Sequence, residues 1–290
     1  MTRIPFRQFV AIDWSGAAGE RQRGIAVALC DNGHAAPRLV RPGHVWSRAD
    51  VLTWLRDDLP ADTLVGMDLG ISLPFVDAGA FFPGWDDSPA HARALWAMID
   101  RMAHADPHHA VGSFVDHDEI ARHFRRHGGR QGDRFEPGRG RMRVTEHAQR
   151  AMGCQPTSNF NLVGAAQVGK SSLSGMRVLH RLRGHVPVWP IDPLPASGSV
   201  ICEIYTTIAA VAAGRTPGRS KIRTGAELDG ALAMLDSEPL GHSGAIDDHT
   251  SDAVITAAWL RGAAHDRALW HPPALTPQIA ATEGWTFGAR

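Results

Sequence analysis

The chain has 290 residues, 43% hydrophobic and 21% charged, and its 30 basic side chains balance its 30 acidic ones. Such a length and composition are typical of a soluble globular protein that buries a sizeable core, as one large domain or as one domain with a substantial insertion. Balanced charge excludes a global attraction to nucleic acid or to membranes, so any such preference must be local.

Three scattered cysteines, Cys30, Cys154 and Cys202, form neither a disulfide framework nor a metal-binding pair, which indicates a reducing compartment. No signal peptide is recognisable at the N-terminus, and no apolar run reaches the roughly 18 residues that a membrane helix needs. We therefore expect a cytoplasmic protein without a membrane partner.

The first third of the chain predicts strands, turns and one helix. Residues 8–13 form an apolar run that ends in Asp13, and residues 24–30 predict a second strand before the hairpin signal Asp31-Asn32-Gly33. A third strand is expected over residues 38–45 and a helix from Ser47. Residues 63–69 then predict a return strand that carries Asp68. Because a helical crossover normally returns to a parallel strand, the first and the return strand should be neighbours.

Residues from about 75 to 196 interrupt this alternation and are rich in Gly, Arg and His. Helices are expected at residues 90–103 and 145–152. Between residues 120 and 150 the sequence has nine arginines and three acidic residues. We interpret this segment as a large helical insertion, with its own surface function, in a single domain over residues 1–290.

Regular patterns return at residues 199–205, an apolar strand that contains Glu203. Helices are predicted over residues 206–213, 226–235 and 248–264, and the proline-rich tail from His271 is expected to be irregular. The sequence thus predicts an α/β fold, a mixed sheet flanked by helices.

Acidic residues occupy positions where burial is costly, namely Asp13, Asp68 and Glu203 on strands and Asp252 on the last helix. A buried carboxylate must be hydrogen-bonded, paired, neutralised or bound to metal. Asp248 lies four residues before Asp252 and hence on the same helix face. If the strands are neighbours, these carboxylates converge, and a hard cation such as Mg²⁺ is their natural neutraliser.

The order of these motifs resembles the ribonuclease-H superfamily. The matching segments, in chain order, are IDWSG, GMDLGISLPF, CEIYTT and DDHTSDAVITAAW. Within the superfamily the chain is similar to domain-of-unknown-function family 429, whose members are described as predicted nucleases. One departure is Thr206, where that family usually has proline. The resemblance covers both ends of the chain but not the arginine-rich middle.

The resemblance implies a ribonuclease-H-like fold and a metal-dependent nuclease with two Mg²⁺ or Mn²⁺ ions. Asp13 would bridge the ions, and Asp68 and Asp252 would complete the ligands with Asp248 as a further candidate. Glu203 would be a ligand or a base that orients water. His249 could orient water or protonate a leaving group.

Two alternatives stay open. Residues Gly164–Ser171 match the phosphate-binding expression G-x-x-x-x-G-K-[ST], so the chain could bind a nucleotide, or Lys170 could contact a substrate phosphate. The chain could also be a binding protein that keeps the fold without the chemistry.

Two further clusters are candidates for ligand binding. Arg139, Arg141 and Arg143 lie among glycines, which suggests a mobile, phosphate-binding arm for a nucleic-acid or nucleotide substrate. Four histidines, at positions 104, 108, 109 and 117, match no zinc-binding spacing, so we expect solvated surface side chains there.

Overall fold

The structure is a computed structural model that describes residues 6–164, 168–182, 184–218 and 221–290. Within these ranges the chain forms a mixed six-stranded sheet with helices on both faces, so the predicted α/β class is confirmed. The strands are β1 (Gln8–Asp13), β2 (Ala26–Asp31), β3 (Arg38–Leu39), β4 (Thr63–Met67), β5 (Val188–Trp189) and β6 (Val200–Glu203).

The strand order across the sheet is β3-β2-β1-β4-β6-β5. Strands β1 and β2 form an antiparallel hairpin whose register pairs Gln8 with Asp31 and Asp13 with Ala26. Strand β4 runs parallel to β1, as the crossover rule predicts, and β6 and β5 continue in the same direction. The carboxyl ends of β1, β4 and β6 therefore meet at one edge of the sheet.

Eleven α-helices lie in the described ranges. They are α1 (Arg48–Thr53), α2 (Ala92–Met102), α3 (Gly112–Val115), α4 (Asp118–Ala121), α5 (Val144–Ala151), α6 (Val168–Arg181), α7 (Thr206–Ala212), α8 (Gly225–Met234), α9 (Asp248–Ala263), α10 (Arg267–Trp270) and α11 (Pro277–Thr282). A capping box between Ser47 and Asp50 begins α1, and a π-helical turn at Trp54–Asp58 follows it. None of the described helices is long and apolar enough to cross a membrane.

Alternate residues of the strands face two separate hydrophobic cores, as the period of a β-strand requires. On one face Val10 and Val65 pack in a cluster with residues of α1, α2 and α6. On the other face Phe9, Ala11 and Cys202 pack with residues of α7, α8 and α9. Helix α9 lies against β1 and β2 and so brings its first turns to the same sheet edge.

Several boundaries differ from the sequence expectation. The third strand is only Arg38–Leu39, because Pro42 and a left-handed Gly43 follow it. The segment over residues 75–196 supplies β5 at the sheet edge and buries α2 and α6 in the core, so it is part of the domain's interior. The tail is also more regular than expected, since it forms α11 and buries Trp285 and Phe287.

Gly66 allows β4 to pack closely beneath α9. A Cβ atom added at Gly66 would lie 2.6 Å from Ile204 Cγ2 and 2.9 Å from Leu260 Cδ1. We expect Gly66→Ala to lower the free energy of unfolding by about 1–3 kcal/mol, the usual cost of overpacking. Urea denaturation measures this change.

The matched control is Gly230→Ala in α8, where an added Cβ meets nothing within 4 Å. Alanine is the better helix former, so this variant should gain about 0.5–1 kcal/mol. A Gly66→Ala protein as stable as wild type would contradict the close packing of β4 and α9.

Candidate active site

Three carboxylates from distant parts of the chain line one cavity of about 700 Å³ at the carboxyl edge of the sheet. Asp13 is the last residue of β1, Asp68 directly follows β4, and Asp252 lies in α9. Asp248 and His249, on the first turn of α9, line the same cavity. The structure thus brings together all four predicted aspartates.

The segments that directly follow Asp13 and Asp68 are tied to helix α6. The indole Nε1 of Trp14 donates to the carbonyl oxygen of Ser171 at 3.1 Å. The backbone N–H of Gly70 donates to Ser172 Oγ at 3.0 Å. These bonds hold the residues beside each aspartate in place without using the carboxylates themselves.

Asp68 lies in surroundings that disfavour its ionised form. Burial raises its pKa well above the ordinary value, and the nearby carboxylates of Asp13 and Asp252 raise it further by repulsion. A backbone hydrogen bond from Thr206 opposes this shift. Like charges so close together are unfavourable unless a proton or a cation neutralises them.

Asp252 is partly neutralised by Lys221, whose Nζ donates to Oδ2 at 2.7 Å. Burial nevertheless raises the pKa of Asp252 to about 6, because the Lys221 contact offsets burial only in part and Asp13 adds repulsion. The same ammonium group lies 3.8 Å from Asp248 Oδ2. Lys221 was missed in the sequence, where an isolated lysine 31 residues before its partner gives no signal.

Asp13 pairs with His249 in a similar manner. The two side chains approach to 2.6 Å between His249 Nδ1 and Asp13 Oδ2. This hydrogen bond raises the pKa of His249, although partial burial works against the shift. His249, a predicted substrate-binding residue, is therefore placed where a proton can be held beside Asp13 and the open cavity.

The carboxylates line one wall, but they do not enclose a common point. In the part of the chain that the structure describes, no three His, Cys, Asp or Glu side chains form a group that could hold a metal ion. His249 and Lys221 contact two of the carboxylates instead. A cation at this wall would have to share or replace these contacts.

Glu203 is placed differently from the aspartates, although it ends β6 and borders the cavity. Both of its oxygens accept from Arg143, at 2.8 and 2.6 Å, and it also accepts from the N–H of Ile71 and the hydroxyl of Thr286. Arg143 in turn donates to Glu146. Both carboxylate oxygens of Glu203 thus accept hydrogen bonds from groups inside the protein.

The predicted arginine arm is only partly at the surface. Arg143 is 1% exposed, and Arg141 donates to Asp77 and to three backbone carbonyl oxygens. These two side chains are buried rather than mobile, so the expectation of an exposed arm is corrected for them. Arg139 is exposed and donates to Gln155, which borders the carboxylate cavity.

The phosphate-loop-like segment Gly164–Ser171 lies partly outside the described residues, since positions 165–167 are not described. Of the rest, Val168–Ser171 form the first turn of α6. Lys170 is half-buried and does not border the carboxylate cavity, whereas Ser171 does.

The site therefore combines clustered aspartates, a lysine and a histidine in an open cavity. Such a set presents carboxylate oxygens, the ligand type that hard cations prefer, and can hold or move a proton at His249. Comparisons with protein-family models, with curated proteins and with solved structures yield no match.

Removing one partner of the buried Arg143–Glu203 pair should be strongly destabilising. Glu203→Gln leaves part of the guanidinium charge uncompensated, and we expect a loss of at least about 2 kcal/mol in the free energy of unfolding. Glu238→Gln is the control, because Glu238 is exposed and should change stability by about 0.5 kcal/mol at most. Equal urea midpoints for the two variants would contradict the role assigned to Glu203.

Asp68→Asn should stabilise the protein at pH 8 in the presence of a chelator, by an amount of order 1 kcal/mol. Because the pKa of Asp68 is raised in the folded state, wild-type stability from this group is present at low pH and is lost as pH rises through that pKa. The amide carries no charge, so the advantage of Asp68→Asn should shrink toward pH 4.

Urea denaturation at several pH values measures this difference. The exposed Asp87→Asn gives the same chemical change away from the cavity and should stay close to wild type throughout. A variant less stable than wild type at pH 8 would show that Asp68 is not repelled by its neighbours.

Proposed function

We propose that this protein is a metal-dependent hydrolase of phosphodiester bonds, a nuclease with a ribonuclease-H-like fold. The proposal is carried by one observation, the meeting of Asp13, Asp68 and Asp252 at one cavity wall with mutual repulsion between them. Repulsion of this kind costs stability when no cation is bound, and perturbed carboxyl groups in a cleft are typical of functional sites.

The sheet supports the fold part of the proposal. A hairpin of β1 and β2, a short β3 beside β2 and a parallel β4 beside β1 agree with the topology that the family resemblance implies. The acidic residues at the end of β1, after β4 and in the last long helix support the proposed site. Fold alone does not establish activity, which depends on the groups at the site.

The donor set fits a hard divalent cation such as Mg²⁺ or Mn²⁺. Its members are carboxylate oxygens, which these ions prefer, and Mg²⁺ in proteins often uses only one or two carboxylates with waters and substrate phosphates. Burial, with repulsion from neighbouring carboxylates, raises the pKa of Asp68 and of Asp252, and a bound cation would favour their ionised forms. Asp13, Asp68 and Asp252 would hold the ion, with Asp248 within reach of the same wall.

A bound divalent ion would supply Lewis acidity to a phosphodiester and would lower the pKa of a bound water. Lys221 sits between Asp248 and Asp252 and limits how much additional positive charge this side of the cavity needs. His249, hydrogen-bonded to Asp13 and half-exposed, would transfer a proton to a leaving oxygen. Arg143 fixes Glu203 and so orients the β6 end of the cavity instead of contacting substrate.

The proposed substrate is a nucleic acid or a nucleotide, because an open cavity with carboxylate ligands suits phosphodiesters. Arg139, exposed beside Gln155 at the border of the cavity, is the arginine of the predicted arm that could still contact phosphate. We further propose a cytoplasmic location, since Cys30, Cys154 and Cys202 are free and buried, in accord with a reducing compartment.

The test combines Mn²⁺ binding with hydrolysis of bis(p-nitrophenyl) phosphate as a generic phosphodiester. Wild-type protein should bind Mn²⁺ in calorimetry and hydrolyse the probe only with the ion present. Asp13→Asn should lose binding and lower the rate about 100-fold or more, because a carboxylate ligand at the shared position is removed.

Asp87→Asn, the same substitution at an exposed site, is the matched control and should keep both properties. Mn²⁺ binding without hydrolysis of the probe or of DNA and RNA would instead identify a binding protein that keeps the fold without the chemistry. An Asp13→Asn protein that still binds Mn²⁺ normally would overturn the assignment of the site.

A further inference from the structure

A second, smaller cavity of about 210 Å³ lies between α1, α6 and the turn Pro107–His109. Three arginines line it, Arg48, Arg177 and Arg181, together with His109. None of these four side chains borders the carboxylate cavity. The proposed hydrolase chemistry therefore leaves this cluster unexplained.

Arg48 is a buried charge without a counter-ion. Its side chain is 3% exposed and donates only to backbone carbonyl oxygens, those of Ser15, Ala17 and His108. No ion pair of Arg48 exists within the described ranges. Burial and the neighbouring Arg177 lower its pKa to about 10. A buried guanidinium is costly unless a negative charge lies near it.

The acidic groups near the cavity do not fill this role. Asp100 is shared by the other two arginines, with Oδ1 3.1 Å from Arg177 Nε and 3.0 Å from Arg181 Nε. Asp106 borders the cavity, but its carboxylate accepts from the N–H and hydroxyl of Ser113. Glu20 also borders the cavity and is exposed.

His109, which the sequence predicted to be a solvated surface side chain, is buried instead and adds a hydrogen-bond donor. The ring is 8% exposed, and its Nε2 lies 3.1 Å from Nη1 of Arg181. A guanidinium can only donate, so Nε2 must accept and the ring proton must sit on Nδ1. Burial and the charge of Arg181 lower the pKa of His109 to about 4, in agreement with a neutral ring. The buried Nδ1 has no hydrogen-bond partner within the described chain.

The backbone of the turn Pro107–His109 is strained, and the strained residues contact two of the arginines. His108 and His109 have φ values of 55° and 56°, in the left-handed region that side chains other than glycine rarely adopt. This conformation aims the carbonyl of His108 at Arg48 and places the ring of His109 against Arg181. Strain of this kind is typical of ligand-binding sites.

We propose that this cavity binds a phosphate-type oxyanion. Such an ion would supply the counter-charge that Arg48 lacks and the acceptor that His109 Nδ1–H lacks, and Arg181 presents further N–H groups at the rim. Arginine forks and neutral N–H donors are the groups that recognise phosphate oxygens.

The cavity is also connected to the proposed active site. Arg48 donates to the carbonyl oxygens of Ser15 and Ala17, and the loop over these residues borders the carboxylate cavity. An oxyanion held by Arg48 would thus stiffen the loop that follows Asp13. That this oxyanion belongs to the substrate rests on the proposed function, whereas the binding of an oxyanion does not.

The test measures binding of inorganic phosphate and of a nucleoside monophosphate to the full chain, in a chelator and without divalent ions. Calorimetry should give one saturable site in wild type. Arg181→Gln and His109→Phe should each weaken binding about tenfold or more, because a hydrogen bond to the anion is lost. Equal or tighter binding of the nucleotide would identify its phosphoryl group as the ligand, and binding of phosphate alone would identify the free ion.

The matched control is Arg122→Gln. Arg122 has 35% of its side chain exposed against 38% for Arg181, and it too pairs with acidic side chains, but it lies outside this cavity. The phosphate affinity of Arg122→Gln should equal the phosphate affinity of wild type. The phosphate affinity of Asp13→Asn should be unchanged as well.

A second measurement distinguishes the loss of phosphate binding from the misfolding of a variant. Phosphate should raise the thermal midpoint of wild type and of Arg122→Gln but leave that of Arg48→Met unchanged, and this shift can be compared whatever the starting stability of each variant. No saturable phosphate binding, or equal weakening in Arg122→Gln and Arg181→Gln, would overturn the proposal. Loss of phosphate binding in Asp13→Asn would show that the anion sits in the carboxylate cavity instead.

Discussion

The repulsion between three carboxylates at one edge of the sheet is the constraint on which the functional account depends. Parallel β1 and β4 deliver Asp13 and Asp68 to the same edge, and α9, packed across β1 and β2, adds Asp252. Desolvation and mutual repulsion then raise the pKa of Asp68. Lys221 and His249 relieve part of this charge, and a divalent cation would relieve the rest.

Buried arginines have two different roles in this fold. Arg143 and Arg141 are saturated by internal acceptors and act as structural ties between the helical segment and the sheet edge. Arg48 is equally buried, yet its acceptors are all carbonyl oxygens and its charge is uncompensated. All three arginines are buried. The structural role of Arg141 and Arg143 thus differs from the proposed anion-binding role of Arg48 because only Arg141 and Arg143 have a carboxylate partner.

Much of the sheet and the four aspartates could be predicted from local patterns. Short apolar runs that end in an acid mark β1 and β4, and helical spacing marks α9, because burial periodicity is a local property. The partners could not be predicted in the same way. Glu203 meets Arg143 across 60 residues and Asp13 meets His249 across 236, so only the folded chain reveals which charges are already paired. The expectation of an exposed Arg143 failed for this reason.

We propose that Asp13, Asp68 and Asp252 together bind a divalent cation. The most direct measurement is a crystal structure with Mn²⁺, located by its anomalous scattering. We expect a Mn²⁺ peak bonded to Asp13 and to at least one of Asp68 and Asp252, with Mn–O distances of about 2.2 Å and with His249 or Lys221 displaced from its carboxylate. Crystals in which these carboxylates keep their contacts to His249 and Lys221 at saturating Mn²⁺, with no peak between them, would contradict it.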